Sequence, residues 1–426
     1  MAAFRCTYRL QLGPGLGFDA ASELIPYLRD LGVSHLYLSP SLQARARSTH
    51  GYDVVDPTRI SDDLGGEDAF RALCRAAREA GLGVLLDIVP NHMATSEEEN
   101  PFWRDPLWRA KFFDLDWRTG AHRRFFDVGE LAGVRMEDPE VWETTHVKVI
   151  ELAREGLIDG VRIDHPDGLA NPRRYLERLR ESGIEHVWIE KILEGGERLR
   201  DWPVEGTVGY EFLNDVGALF VDPAGEVALT RFYEEFTGDR RSFAEHAAVA
   251  KLREARTTFA AEVDQLAAKL PFAVDLAAAL ASLRVYRTYV EPDARLVSPE
   301  DIDAVRAARL PEELARILLF EERGHDAFVQ RLQQTTPPVH AKGVEDTAFY
   351  RWNRLVALNE VGGDPVRFSL SVERFHRANV ERSERFPLHL LSTMTHDTKR
   401  SADTRARIGV LASVADEWAE RVRRWH

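Results

Sequence analysis

Short apolar runs alternate with amphipathic stretches over the first half of this chain, and that rhythm constrains the fold more than any other feature of its 426 residues. "FRCTYRLQL" reads as a strand, "FDAASELIPYLRDLG" as a helix ending at Gly32, and "VSHLYLSP" as a second strand. "EDAFRALCRAAREAG" is a further helix and "GVLLDIVP" a third strand. A helix over about 138–156 precedes "DGVRID", and another over about 172–183 precedes "HVWIEKIL". Nearly continuous apolar strands separated by helices imply parallel strands buried on both faces. An open doubly wound sheet would satisfy the rhythm, but no Gly-rich phosphate loop follows the first strand. The expected fold is therefore α/β, a (β/α)8 TIM-type barrel.

Two excursions interrupt the rhythm. Residues about 93–135 carry Phe102, Trp103, Trp108, Phe112, Phe113, Trp117, Phe125 and Phe126 in irregular sequence. Such rings serve either as stacking platforms for sugars or as the core of a small inserted lobe. Residues about 222–335 are rich in Ala, Glu and Arg and read as a helical insertion whose charges form a solvated face. The expected organisation is a barrel over 1–92, a lobe over 93–135, barrel again over 136–221, the helical insertion over 222–335, and a last barrel part over 336–426.

Composition narrows the partners. The net charge of −14 argues against nucleic acid or an anionic membrane, while uncharged substrates fit it. Cys6 and Cys74 cannot build a disulfide framework and have no metal-ligand spacing around them. The N-terminal stretch lacks the apolar core of a secretory signal, and the apolar window "LPFAVDLAAALASLRVY" is interrupted by Asp275 and Arg284. A cytoplasmic protein is expected.

The chemistry sits where the strands end. "GVLLDIVPNH" finishes with Asp87, Asn91 and His92; "GVRIDHPDG" with Arg162, Asp164 and His165. "HVWIEKIL" carries Glu190, and "HLLSTMTHDTKR", read as another apolar strand, finishes with His396, Asp397, Lys399 and Arg400. In a parallel barrel all carboxyl ends open onto one face, so these residues converge. Alternation along a strand puts Arg162 and Asp164 on one side, and the Arg keeps that Asp ionised. Glu190, flanked by Trp188 and Ile192 with no basic residue on its own side of the strand, suits a raised pKa. A permanently charged acid and a protonatable one, 26 residues apart and so on adjacent strands, are what retaining glycoside cleavage requires. Zinc-dependent hydrolysis is the competing chemistry, but neither HExxH nor HxH spacing occurs.

These four segments resemble, in order, the four short conserved regions of the α-amylase superfamily (glycoside hydrolase family 13). "YRLQL", "THGYDVVDP", "WPVEGTVGYEFLN", "AKGVEDTAFYR", "LNEVGGDP" and "THDTKRSADTRARI" resemble its trehalose-forming branch in particular. The resemblance implies Asp164 as nucleophile, Glu190 as acid/base and Asp397 as the acid gripping hydroxyls of the distorted sugar. It implies Tyr52 as the stacking platform for that sugar, His92 and His396 as its hydrogen-bonding partners, and Arg162 as partner of the nucleophile. Asp87, His165 and Lys399 complete the expected substrate-binding set. Lys342 and Glu345 match a branch-specific segment, with a substrate-binding or a purely structural role. Asn91 sits where some members hold calcium, but no companion ligands are evident, and neither metal nor cofactor is expected.

The implied activity is an intramolecular transglycosylation that converts the reducing-end α-1,4 bond of a maltooligosaccharide into an α,α-1,1 bond. The implied pathway partner is a maltooligosyl trehalose trehalohydrolase. An α-1,4-glucan hydrolase and an inactive glucan-binding fragment are the alternatives. Members of the superfamily continue beyond the His-Asp region through a final barrel strand and a β-domain, whereas here about 30 residues follow Asp397. The expectation is a chain truncated at its C-terminus, with an incomplete barrel.

Overall fold

The computed structural model describes residues 3–116, 119–194 and 196–426. Trp117, one of the rings in the aromatic excursion, lies outside them. The chain divides into two units, Met1–Lys191 with Arg200–Gly206, and Ile192–Leu199 with Thr207–His426.

The first unit follows the βα rhythm. β1 (Thr7–Leu10) leads to α1 (Phe18–Glu23) and α2 (Ile25–Asp30), then β2 (His35–Leu38), β3 (Leu42–Ala44), β4 (Val54–Ile60), α3 (Gly66–Glu79) and β5 (Gly83–Ile88). There follow β6 (His92–Ala94), α4 (Pro101–Arg104), α5 (Pro106–Phe112), β7 (Arg124–Phe125), β8 (Val128–Gly133) and α6 (Pro139–Arg154). The unit closes with β9 (Gly160–Ile163), α7 (Pro172–Glu181) and β10 (His186–Ile189); β11 (Gly206–Thr207) stands at the boundary between the units. The sheet order is β1-β2-β5-β9-β10-β11, and the first five strands pair in parallel. Every residue of β2, β5 and β9 is buried, as a sheet covered on both faces requires. The sheet is half of a TIM-type barrel. The single helix expected over "FDAASELIPYLRDLG" is two, since Pro26 at the start of α2 cannot donate into a continuous helix.

Residues 92–133 fold back as an antiparallel sheet of order β6-β8-β7. Its aromatic residues fall into two groups. Phe112 and Phe113 are fully buried, with Phe102 stacked on Phe112 at 4.4 Å and Trp103 edge-on to Phe113 at 4.8 Å. Phe125 and Phe126 instead face histidines, as described below.

Apart from Thr207 of β11, the described residues of the second unit form no β-strand. Helices Phe243–Arg256, Leu276–Ser282, Pro299–Ala308, Glu312–Leu318 and Asp326–Gly343 enclose a core that includes Phe259, Leu280, Leu314, Ile317, Phe328 and Leu332. Gln333 is buried within it and hydrogen-bonded through both ends of its amide: its Oε1 accepts from Thr288 Oγ1 (3.0 Å) and Val290 N–H (2.9 Å), and its Nε2 donates to the Val290 carbonyl (3.0 Å).

The strand expected over "HLLSTMT" does not form; residues 389–396 run without regular structure. A strand needs a neighbour to take its alternate N–H and C=O groups. The neighbour here is Val208–Gly209, and Gly209 (φ 92) has left the extended region. A Cβ at Gly209 would stand 2.3 Å from the Leu390 carbonyl oxygen, so the two backbones are in contact rather than paired. The tie that remains is Ser392 Oγ donating to the Val208 carbonyl at 2.9 Å.

Two buried histidines make the first unit sensitive to acid. His35 of β2 and His146 of α6 are both pushed down to about 4, chiefly by burial. His146 is held neutral between the Trp142 carbonyl (2.8 Å) and the Tyr175 hydroxyl (2.7 Å). Folded-state values below the unfolded value of about 6.5 mean that the unfolded chain binds more protons in between. Stability is then full above pH 6.5 and is lost as pH falls toward 4. Thermal unfolding followed from pH 7 to pH 4.5 should show a steadily falling midpoint, and a flat one would mean that these rings titrate normally.

Candidate active site

The carboxyl ends of β5, β9 and β10 bring their functional groups together because the strands run parallel and in register. Asp87 lies opposite Arg162, and Arg162 opposite Trp188, which sets Glu190 just beyond the pair. Arg162 is buried and serves three carboxyl groups. Its Nη1 donates to Asp87 Oδ1 at 2.8 Å and to Asp164 Oδ1 at 2.7 Å, and its Nη2 lies 3.2 Å from Glu190 Oε2. The His165 N–H also donates to Glu190 Oε2, at 3.1 Å. Within its own strand Glu190 has no basic neighbour; the adjacent strand supplies one, a contact that strand-by-strand reading cannot see.

Tyr52 and His92 border this group. The Tyr52 hydroxyl donates to Asp87 Oδ2 at 2.7 Å, and its ring lies 5.9 Å from the Arg162 guanidinium carbon. His92 is buried with Nε2 3.1 Å from the Tyr52 carbonyl, and burial pushes its pKa down to about 3, so the ring is neutral. Phe125 stacks on His92 at 3.8 Å, and Phe125 and Phe126 stand 5.4 and 5.2 Å from the His165 ring. His165 (φ 42) and Phe126 (φ 52) both take left-handed backbone, which costs a residue with a Cβ about 1–2 kcal/mol. The Asn91 side-chain oxygen accepts from Arg123 Nη1 at 3.1 Å, and the Arg123 Nε donates to Asp114 at 3.1 Å. Among the described residues no group of three or more His, Cys, Asp or Glu has the geometry to hold a metal ion.

The remaining predicted residues are gathered in the second unit. Asp397 Oδ2 accepts from the Tyr210 hydroxyl (3.3 Å) and lies 3.0 Å from His396 Nε2. Lys342 and Lys399 flank Asp346, at 3.3 and 3.0 Å. Glu345, buried in the π-helical turn Val344–Ala348, accepts from the Tyr286 hydroxyl and from Gly362 N–H (3.4 Å). Burial raises its pKa to about 7, against the pull of that hydroxyl and of Lys399.

The α-amylase catalytic-domain model matches residues 18–190. A putative maltooligosyl trehalose synthase of Mycobacterium tuberculosis is 38% identical over 97% of this chain and 65% of its own length. The solved maltooligosyltrehalose synthase of Arthrobacter ramosus superposes with a TM-score of 0.88 at 37% identity, over 97% of this chain and 66% of that one. A hypothetical maltooligosyl trehalose synthase of Sulfolobus tokodaii gives the same TM-score at 33% identity, over all of this chain and 67% of that one. The chain belongs to the maltooligosyl trehalose synthase family. It spans about 65% of the length of the curated synthases it matches.

Three groups escaped the sequence reading, although all three lie in segments that resemble synthases. Arg9, in "YRLQL", donates from Nη2 to the Tyr52 hydroxyl at 2.8 Å and approaches Asp87 Oδ2 at 3.5 Å. Glu360, in "LNEVGGDP", is buried and accepts the backbone N–H groups of Lys399 (2.6 Å) and Arg400 (3.2 Å). It therefore fixes the end of the segment that carries Asp397. Asp346 joins the two lysines. The signal available for all three was their place in those segments.

Proposed function

We propose that this chain carries out intramolecular transglycosylation at the reducing end of a maltooligosaccharide, turning the last α-1,4 bond into an α,α-1,1 bond. The observation that carries this reading is the sharing of one buried guanidinium, Arg162, by Asp164 and Glu190. A shared guanidinium keeps two carboxyl groups close, in keeping with the roughly 5–5.5 Å of retaining enzymes. Glu190 protonates the glycosidic oxygen while Asp164 attacks the anomeric carbon, and the C–O bond to the terminal glucose breaks as the glycosyl ester forms. The released glucose turns and offers its anomeric hydroxyl. Glu190, now a carboxylate, takes that proton as the ester bond breaks, and two inversions leave the donor carbon in its original α configuration.

Tyr52 stacks on the sugar bound to Asp164, and His92 and His396 bond its hydroxyls. Asp397 grips the hydroxyls of the distorted ring. Asp87, His165, Lys399, Lys342 and Glu345 complete the binding set. The lobe over 93–135 supplies Phe125 and Phe126 as an aromatic wall that limits hydrolysis of the ester. A trehalohydrolase acting on the product is the partner this chemistry calls for, and unbridged Cys6 and Cys74 fit a cytoplasmic setting.

Incubation with maltopentaose tests the reading. Loss of reducing ends with no change in product mass is expected. A rise in reducing ends would make the chain a hydrolase, and no change in either would leave a glucan-binding protein.

A further inference from the structure

Arg9 is a second, partly buried cation at the same group of carboxyls, delivered by the first strand, and the reaction outlined above assigns it no task. Its side chain is 14% exposed. Besides Tyr52 and Asp87 it reaches Gln11 Oε1 (2.6 Å) and lies over the Tyr37 ring at 5.3 Å. Its Nε is buried without a hydrogen-bond partner, so the side chain gives up hydration to stand there. Burying a guanidinium is costly unless a counter-charge needs it, and the counter-charge is Asp87, which is completely buried.

A count of charges shows what Arg9 changes. Facing the group from this unit are Arg9 on β1, Tyr37 on β2, Tyr52 with its neighbour His50, Asp87 on β5, and His92. Arg162, Asp164 and His165 come from β9 and its end, Glu190 from the end of β10, and Arg123, bonded to Asn91, acts on His92. The phenols are neutral, held up mainly by burial, and His92 is neutral. Around Arg162 stand three carboxyl groups, and a single guanidinium balances one of them. With Arg9 on Asp87, Arg162 is left to balance Asp164, and the remaining carboxyl, Glu190, can hold a proton without leaving net charge behind.

We propose that Arg9 is a positioning residue that neutralises Asp87, so that Arg162 keeps Asp164 ionised while Glu190 stays protonated. The proposal rests on the transglycosylation reading for its activity test, but not for its stability test. Arg9→Met adds one uncompensated negative charge, which raises the pKa of neighbouring carboxyls. The acidic limb of kcat/KM should move up by roughly 0.5–1 pH unit, less than the 1–3 units of a direct contact, since Arg9 acts through Asp87. KM for maltopentaose should change less than kcat. Arg9→Lys, which restores the charge without the fork, should return the limb toward wild type.

Stability gives a reading that needs no turnover. Raised folded-state carboxyl pKa values remove stability at neutral pH and none once the carboxyls are protonated. The Tm gap between wild type and Arg9→Met should therefore be largest near pH 7 and shrink toward pH 4. An unshifted limb, or a Tm gap independent of pH, would overturn the proposal and leave Arg9 a packing residue. Should Arg9→Met fail to fold, Arg9→Gln, which can still donate to Tyr52, serves both measurements. Absence of turnover in the wild type sinks the transglycosylation reading alone, and the Tm gap still decides on Arg9.

Discussion

Asp164→Asn should lower maltopentaose turnover by on the order of 10⁴-fold or more, because the covalent step loses its attacking oxyanion. Folding should survive. Asn keeps the shape and an oxygen for Arg162 Nη1, and Arg162 retains Asp87 at 2.8 Å as a counter-charge and Glu190 at 3.2 Å as a polar neighbour. Affinity for maltopentaose, measured by calorimetry, should stay within a few-fold, since an Asp-to-Asn change removes no stacking surface. Activity within about tenfold of wild type would remove Asp164 from the nucleophile's role. Intact activity in Asp164→Asn together with loss in Asp87→Asn would move that role to the neighbouring strand.

Glu190→Gln should be nearly as inactive toward natural glucans, whose leaving oxygen needs a proton. The difference lies in substrate dependence. An α-glucosyl fluoride brings a leaving group that departs without protonation, so the variant should still load Asp164 and accumulate the glycosyl ester, visible as a mass increase of one glucosyl unit. Glutamine can still receive the His165 N–H now given to Glu190 at 3.1 Å, so the loop after β9 should keep its place. Equal loss on both substrates would make Glu190 a structural partner of Arg162 rather than an acid.

The parallel half-barrel was legible because its strands are buried on both faces, which forces runs such as "GVLLDIVP" to be apolar at all but their functional positions. The same signal misled at "HLLSTMT". Apolar residues there suit a strand, but Gly209 turns the adjacent backbone out of register, and pairing is a property of two segments, not one. At the site, Arg162 and Asp164 could be placed on one side from the two-residue period alone, and Asp87 near them from its place at a parallel strand's end. What the sequence could not show is which cation meets which acid across strands. Glu190 gained Arg162 from β9, and Arg9, which had no role in the sequence reading, is partly buried against Tyr52. Glu360 was hidden for the same reason, since its partners are backbone N–H groups about 40 residues on.

In the first unit, the five parallel strands stand side by side in the order in which they occur along the chain, β1, β2, β5, β9 and β10. Each strand therefore joins an edge that is already complete when it appears, and none has to be inserted between two earlier ones. During synthesis at about 5–20 residues per second, the sheet can grow outward from β1 while the helical second unit is still unmade. Arg9 and Tyr37 are then in place before Asp87 is translated, and Asp87 before Arg162. Asp87 and Arg162 each meet a counter-charge on arrival, and the nascent chain need never hold Arg162 in an apolar interior without a carboxylate beside it.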